Sequence, residues 1–407
     1  MTTIPNGQNH FLKLKINDIE VMTQNILSFT LREWVFAQTI ELDCTIMDTG
    51  MFTEYAPIYE DMPVYAEFHL SDGTFTPLNF QLSDFEVERS NSGELINVIH
   101  FTALPAIDDY FLTFRSRTFK HNISSAVVKE VMDNLSSKTD IRVESNDVQD
   151  WYQLSVDDYT FIRQLIRRSF VVIEDTPFCY MERDNTLVYT TLKTECDRKP
   201  KALLVENGYL CSPDIVVKDL IEENKMKTIY FNPSVYRKNV SSSLNKAGAY
   251  GAYVTYYNNE SFINNVLNFR FSPLTTYTNT NIKHRGQFGR SDNFNTQNSA
   301  MHENYYIAVV QNDYIRTMFF SDYIQITIPA DLSLRLFDKV TVQFPDSMAK
   351  QNNQVPLLDK TNSGDYIIGG ITHSIIKDGT YNMILVLFRN GINEPEKTLK
   401  EIKLVKA

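Results

Sequence analysis

Cysteine is scarce: Cys44, Cys179, Cys196 and Cys211 are the only four in 407 residues, widely spaced and with no CxxC pair. That spacing argues against a disulfide framework and leaves buried, reduced cysteine as the expectation. Cys44, on an alternating apolar face between Leu42 and Ile46, fits that role. Long apolar runs are missing as well. No stretch reaches 18 consecutive apolar residues, so neither a membrane-crossing helix nor stable membrane insertion is expected. The opening MTTIPNGQNH lacks the basic-then-apolar order of a secretory signal, and none is expected.

The signatures of common chemistries are absent too. Seven histidines (His10, His69, His100, His121, His284, His302, His373) form no HExxH or other compact ligand set. A zinc site would need distant strands to converge, and no metal is expected. His373, between Thr372 and Ser374 in a strand-like run, reads as a structural imidazole. Gly248, Gly251, Gly286 and Gly289 make no GxGxxG or Walker loop, and no serine sits in a GxSxG elbow. Nucleotide cofactors are therefore not expected. Asp108-Asp109 and Asp157-Asp158 are sequence neighbours, whereas glycoside chemistry needs carboxylates facing each other across a cleft.

Positive charge is sparse in one region. Between Met51 and Tyr110 eleven acids (Glu54, Glu60, Asp61, Glu67, Asp72, Asp84, Glu86, Glu88, Glu94, Asp108, Asp109) face one base, Arg89, which accounts for most of the chain's net charge of −11. Tight nucleic-acid binding by this segment is disfavoured, because such binding runs on clustered Lys and Arg. A solvated acidic surface, or a wall past which a polyanion slides without sticking, fits the charge. A small basic patch, His284, Arg285 and Arg290 beside Phe288, reads either as a nucleic-acid contact or as an exposed polar loop.

What is present is mostly β-pattern. Leu12, Leu14 and Ile16 alternate with polar neighbours, as do Leu42, Cys44 and Ile46, and then Val64, Ala66 and Phe68 before the turn Ser71-Asp72-Gly73. Two helices follow. In the first, capped by Asn122 or Ser124, Val127, Val128, Val131, Met132 and Leu135 recur at helical spacing. The second begins near Ser155, paired with Asp158 as a capping box, and buries Phe161, Ile162, Leu165 and Ile166. Its arginines Arg163, Arg167 and Arg168 point mostly outward.

Phe170 to Ile173 and Leu187 to Leu192 read as paired strands turning at Arg183-Asp184-Asn185. Val240 to Ala300 is rich in Asn, Ser, Thr and Tyr, a contact surface or long loops, interrupted by the apolar run Phe262 to Phe271. Strands resume at Ile324, Ile326, Ile328 and at Val340, Val342, Phe344. The twin glycines Gly369 and Gly370 inside an apolar run predict a bulge or sharp corner, and Asp378-Gly379 a hairpin turn into Tyr381 to Phe388.

The expected fold class is mainly β with α+β insertions: two small antiparallel β-barrel domains joined by a helix-containing middle region. The expected division is an N-terminal barrel (1–110), an α+β middle domain with two helices (111–200), a polar, tyrosine-rich interdomain region, α/β or loop-rich (201–305), a second barrel (306–392) and a basic tail (393–407).

The order of parts resembles the phage baseplate or tail hub family, whose relatives include the late control protein D group and the base of secretion-system spikes. HFLKLKINDIEV and ELDCTIMD carry the likeness in the first barrel. FRSRTFKHNISSAVVKEVMDNL and WYQLSVDDYTFIRQLIRRS carry it in the middle, where the relatives' aromatic, acidic and F-x-R-x-L helix falls on Trp151, Asp157 or Asp158, Phe161, Arg163 and Leu165. LRLFDKVTVQF, GDYIIGGITHSI and TYNMILVLFRNG carry it at the end. One departure is Ser169-Phe170, where relatives usually place a glycine after the helix.

The resemblance implies a homotrimer whose two barrels per subunit form a ring, an adaptor between the tail tube protein and a central spike or tip protein, with the tape measure protein as a further partner. It places the protein in the virion tail, assembled in the host cytoplasm, with no catalytic activity. Trp151, Asp158, Phe161, Arg163, Leu165, Gly369 and Gly370 are then the structural and interface candidates. Glu54, Glu60, Asp61, Glu86 and Glu88 would line a lumen through which DNA passes without specific binding. Two other readings stay open: a glycan- or receptor-binding virion protein, motivated by the tyrosine-rich middle, and a cell-wall hydrolase, which would require an apolar-lined cleft with paired carboxylates or a histidine dyad.

Overall fold

A computed structural model describes residues 11–48, 50–69, 75–89, 97–206, 227–231, 236–239, 252–258, 263–269, 290–296, 302, 304–320, 322–345, 359, 362–376 and 381–389. The N-terminal quarter forms seven strands: β1 (Phe11–Ile16), β2 (Ile19–Val21), β3 (Ile26–Trp34), β4 (Glu41–Asp48), β5 (Pro63–His69), β6 (Phe75–Arg89) and β7 (Asn97–Pro105). The period-two pattern sets their faces: Leu12, Leu14, Ile16, Leu42, Cys44, Ile46, Val64, Ala66 and Phe68 are all buried. Asn17 (φ 48°) and Asp18 (φ 63°) adopt the left-handed turn that a two-residue hairpin requires, so β1 folds directly back onto β2.

The middle comprises β8 (Arg115–Asn122), α1 (Ser124–Asn134), β9 (Thr139–Ile141), β10 (Gln149–Val156), α2 (Asp158–Arg168), β11 (Pro177–Met181), β12 (Leu187–Thr191) and the short α3 (Leu192–Cys196). In α2 the expected stripe of Phe161, Ile162, Leu165 and Ile166 is buried, while Arg163 and Arg167 are exposed. Each such side chain contributes at most roughly 1.5–3 kcal/mol on burial.

Neither helix is capped as expected. Asp157, not Ser155, caps α2, accepting from the Thr160 amide at 2.7 Å. On α1 the free amides of Ser124 and Ser125 are taken from a distance, by Asp147 Oδ1 (2.8 Å) and Ser145 Oγ (3.0 Å). No local side chain caps its start.

The hairpin of β11 and β12 turns at the expected residues, with Asn185 at φ 63°. Its first strand, however, is Pro177–Met181 and not Phe170 to Ile173. The reason lies in a helix the sequence pattern hid. After β13 (Ala202–Glu206), β14 (Lys227–Phe231), β15 (Tyr236–Asn239), β16 (Ala252–Asn258), β17 (Ile263–Phe269) and β18 (Arg290–Thr296) comes α4 (Tyr305–Phe319). It presents Ala308, Gln311, Asn312, Ile315 and Phe319 on one buried face. The two amides hold the 167–175 backbone. Asn312 Nδ2 donates to Ser169 O (2.8 Å), Gln311 Nε2 donates to Val172 O (2.9 Å), and Gln311 Oε1 accepts from the Glu174 amide (2.9 Å). Backbone groups engaged by a helix are no longer free for a strand ladder.

The last strands are β19 (Asp322–Pro329), β20 (Lys339–Gln343), β21 (Gly364–Ile376) and β22 (Tyr381–Arg389). Two separate closed barrels were expected; the chain instead builds one open 14-stranded sheet, ordered β14-β13-β20-β21-β3-β4-β7-β6-β5-β1-β2, with β22, β19 and β15 branching from β21. The join is the antiparallel pairing of β21 with β3, from Gly370 opposite Trp34 to Ile376 opposite Ser28. At 13 residues β21 is long enough to pair with β20, β22 and β3, and so it belongs to both halves. The expected bulge is there, as a register shift between Ile368 and Gly370 against β22. The expected turns at Ser71-Asp72-Gly73 and Asp378-Gly379 lie outside the described residues, as do most of Val240 to Ala300 and the lysine-rich tail.

Candidate assembly surface and the buried junction behind it

Both junction glycines are explained by aromatic rings. A β-carbon on Gly369 would sit 2.3 Å from the Phe388 ring, and one on Gly370 would sit 2.4 Å from the Trp34 ring. Trp34 and Phe388 pack edge-on at 5.6 Å, and Phe320 adds a third ring 4.4 Å from Phe388. The bulge therefore lets aromatic side chains from β3, β22 and the end of α4 close over the backbone of β21.

Next to it lies a buried polar cluster. Glu33 on β3 accepts from His373 Nε2 (2.7 Å) on β21 and from Arg183 Nε (3.0 Å), which reaches in from the β11–β12 turn. His373 Nδ1 meets the Tyr381 hydroxyl at 2.7 Å. Glu33, Arg183, His373 and Tyr381 are all buried. Arg183 also donates to the carbonyls of Leu332 (3.3 Å) and Leu334. One turn of the middle region thus clamps both sheet halves.

Burial drives His373 below its ordinary value, and Arg183's charge adds to that, against the pull of Glu33. A neutral ring satisfies both neighbours, donating from Nε2 to Glu33 and accepting at Nδ1 from Tyr381. Burial alone would raise Glu33; the charge of Arg183 and the His373 hydrogen bond outweigh it and hold the carboxyl below its usual range. The structural reading of His373 thus stands, whereas Glu33 and Arg183 carried no sequence signal.

The structure brings four of the middle candidates together. Trp151, buried on β10, pairs opposite Phe119 of β8 and donates Nε1–H to Asn122 O at 2.9 Å. Phe119 stacks on Phe161 (5.6 Å, 12°), and the Arg117 guanidinium lies over the Phe119 ring at 5.2 Å. Asp158, fully buried at the start of α2, accepts from Gln153 Nε2 (2.8 Å) and Arg117, with Arg115 Nε at 3.4 Å. Leu165 lies on the same buried face of α2. Arg163 stands apart, exposed and lining a cleft beside Arg167 and Arg316.

Ser169, where the resemblance implied a glycine, has an extended backbone (φ −70°, ψ 145°) that needs none. Its hydroxyl is held by Asp147 (3.0 Å) and Tyr189 (2.7 Å).

The acidic candidates are on the outside. Glu54, Glu60 and Asp61 lie on the segment after β4, where Gly50 (φ 105°) starts a single π-helical turn, Met51–Tyr55. Asp48, itself buried, fixes that turn by accepting from the amides of Phe52 and Thr53, both at 3.1 Å. Tyr55 and Tyr59 on the same segment are 82% and 61% exposed. Glu86 and Glu88 project from the outer face of β6. Among the described residues no group of His, Cys, Asp and Glu suits a metal ion, and no helix is long and apolar enough to cross a membrane.

In sequence the chain matches no protein-family model and no curated protein. In fold it is similar to the 43 kDa tail protein of prophage MuSo2 from Shewanella oneidensis, with a TM-score of 0.61 at 9% identity, covering 94% of this chain and 100% of that one. It is similar to a tail protein from Neisseria meningitidis MC58, with a TM-score of 0.57 at 9% identity, covering 95% and 98%. The E. coli c3393 protein, a type VI secretion component described as structurally similar to the T4 tail proteins gp27 and gp5, matches at 0.50 and 11% identity over 94% and 79%. The chain carries the fold of phage tail proteins, in line with the hub-family resemblance of its sequence.

Proposed function

We propose that this protein is a structural hub of a phage tail baseplate, a homotrimeric ring that adapts the tail tube to a central spike or tip. The observation that carries this reading is a likeness running end to end: the sheet, the middle module and α4 together match a tail protein over its full length. In this reading residues 1–110 and 306–392 are the ring-formers, 111–200 bridges them, 201–305 faces other components and 393–407 is a basic tail. The open edges of the sheet favour the ring, since unpaired edge groups gain most by pairing with another copy. Tube protein, spike or tip protein and tape measure protein are the partners. Glu54, Glu60, Asp61, Glu86 and Glu88 repel a passing polyanion from the lumen wall, which suits transit without adhesion.

The role is mechanical, not catalytic. The clusters that resemble catalytic groupings, Glu33 with His373 and Asp147 with Ser124 and Ser169, are buried and hydrogen-bonded to their own fold. Native mass spectrometry of the full chain, alone and with tube and spike proteins, tests the reading. Trimers, or trimers formed on addition of either partner, are expected. A chain that stays monomeric beside both would overturn it, and a map of the ring with the five acids on its outer rim would remove the lumen assignment.

A further inference from the structure

A cleft of about 400 Å³ opens where the corner between β3 and β4 meets α2, β11 and α4. Phe36 and Phe178 wall it, and three guanidinium groups, Arg163, Arg167 and Arg316, line it without a carboxylate among the lining residues. In a chain of net charge −11 that grouping runs against the overall field.

Two buried polar atoms on its wall have no partner: Gln38 Oε1 and Arg316 Nε. Gln38 is only 4% exposed. Its amide orientation is fixed, because Nε2 donates to Cys179 O (2.9 Å) and Phe36 O (3.3 Å), which leaves the oxygen as the unused end. Arg316 is fixed as well. It donates to Pro177 O at 2.6 Å and lies 5.1 Å over the Phe178 ring, with Nε left over. A buried donor and a buried acceptor left unmatched are each unfavourable unless something supplies the counterpart.

We propose that this cleft binds an acidic peptide segment of a partner protein, with an Asp or Glu carboxylate among Arg163, Arg167 and Arg316 and a neighbouring backbone N–H donated to Gln38 Oε1. A free ionised carboxylate offers acceptors alone and would leave Gln38 unmatched; a peptide carries acceptor and donor together. The aromatic walls suit the stem of such a side chain, and the volume is that of an ordinary ligand site. Burial, with Arg167 nearby, brings Arg316 down to about 10 against the pull of Asp313, so the guanidinium still carries its charge at neutral pH. Arg167, paired with Asp313 at 3.4 Å, leaves 65% of its side chain in water. The cleft's chemistry is independent of the tail role.

The test is fluorescence polarisation of the full chain with a fluorescein-labelled peptide, Gly-Gly-Glu-Asp-Glu-Asp amide, and its Gln/Asn counterpart. Saturable binding of the acidic peptide is expected, with the counterpart at least about tenfold weaker, since hydrogen bonds to charged groups are lost. Arg163→Gln, at an exposed position that leaves folding intact, is expected to weaken binding several-fold. Gln38→Leu is expected to weaken binding several-fold, by removing the acceptor for the peptide N–H. Arg335→Gln, an exposed arginine outside the cleft, leaves it unchanged. Equal binding of both peptides, no binding, or insensitivity to Arg163→Gln overturns the site. Inorganic phosphate binding as tightly as the peptide assigns a simple anion site instead. Sedimentation showing self-association released by Arg163→Gln assigns the cleft to a second copy and overturns the separate partner.

Discussion

Two sets of carboxylates in this protein behave oppositely. Glu33 sits at 3% exposure between Arg183 and His373, whereas Glu88, on the outer face of β6, leaves 75% of its side chain in water, with the His100 ring 3.9 Å away. The residue type is the same; the solvent is not. Inside, each charge must be matched because water no longer does it. Outside, water screens the charge, and what remains is a shared field. The lesson is that the chain's conspicuous acidity describes its surface, while a single inconspicuous glutamate is buried and matched where its two halves meet.

The sharpest way to break that contrast is to strip one partner from the inner cluster. Arg183→Met leaves Glu33 buried and short of its cation, and is expected to cost about 3–5 kcal/mol in urea unfolding. The triple replacement Glu33→Leu, Arg183→Met, His373→Leu is expected to cost less than Arg183→Met alone, because no charge is left stranded. A triple variant weaker than the single would show the ion pair to be a net source of stability.

Next in size is Gly370→Val. Its β-carbon would displace the Trp34 ring, at a cost of roughly 1–3 kcal/mol, read by the same unfolding curve.

Acid is the third probe. Because burial holds His373 below its ordinary value of 6.5, the folded state binds fewer protons than the unfolded one. The stability this gives is complete above pH 6.5 and is lost as pH falls toward the folded value. Glu33, depressed below 4.5, adds a loss of the same sign at lower pH. Thermal melting from pH 8 to pH 5 is expected to show a falling Tm, with a flatter slope in His373→Gln. A Tm rising on acidification would reverse the assignment.

Smaller effects complete the series. Asp157→Ala removes the α2 cap and is expected to cost about 1 kcal/mol in urea unfolding. Glu86→Gln with Glu88→Gln is expected to stay within about 0.5 kcal/mol of the parent, as for ordinary exposed sites.

How much of this was legible beforehand follows from period and distance. The strand faces of β1, β4 and β5 and the buried stripe of α2 were legible, because alternation and helical spacing are local. The bulge at Gly369 and Gly370 was legible because paired glycines in an apolar run have few other uses. The helix α4 was not: Gln311 and Asn312 occupy its buried face, so its apolar period is interrupted where it matters. The cap of α1 failed for a related reason, since Asp147 arrives from 23 residues away.

The candidate cleft was half visible. Arg163 and Arg167 were expected to face outward; that Arg316 and Gln38 join them depends on a meeting of β3, β11 and α4 that no local pattern encodes. Likewise, two modules were foreseen, but not that they share one sheet. Pairing between β3 and β21, more than 330 residues apart, leaves no mark on either strand's own alternation.

That shared strand has a mechanical corollary. β21 meets β3 along seven residue pairs and is held on its other edge by β22. A load applied along the strand at one half meets every rung of the ladder simultaneously, in shear, and not one after another as in unzipping. A thrust entering at one half would therefore reach the other through the hydrogen-bonded backbone of β21.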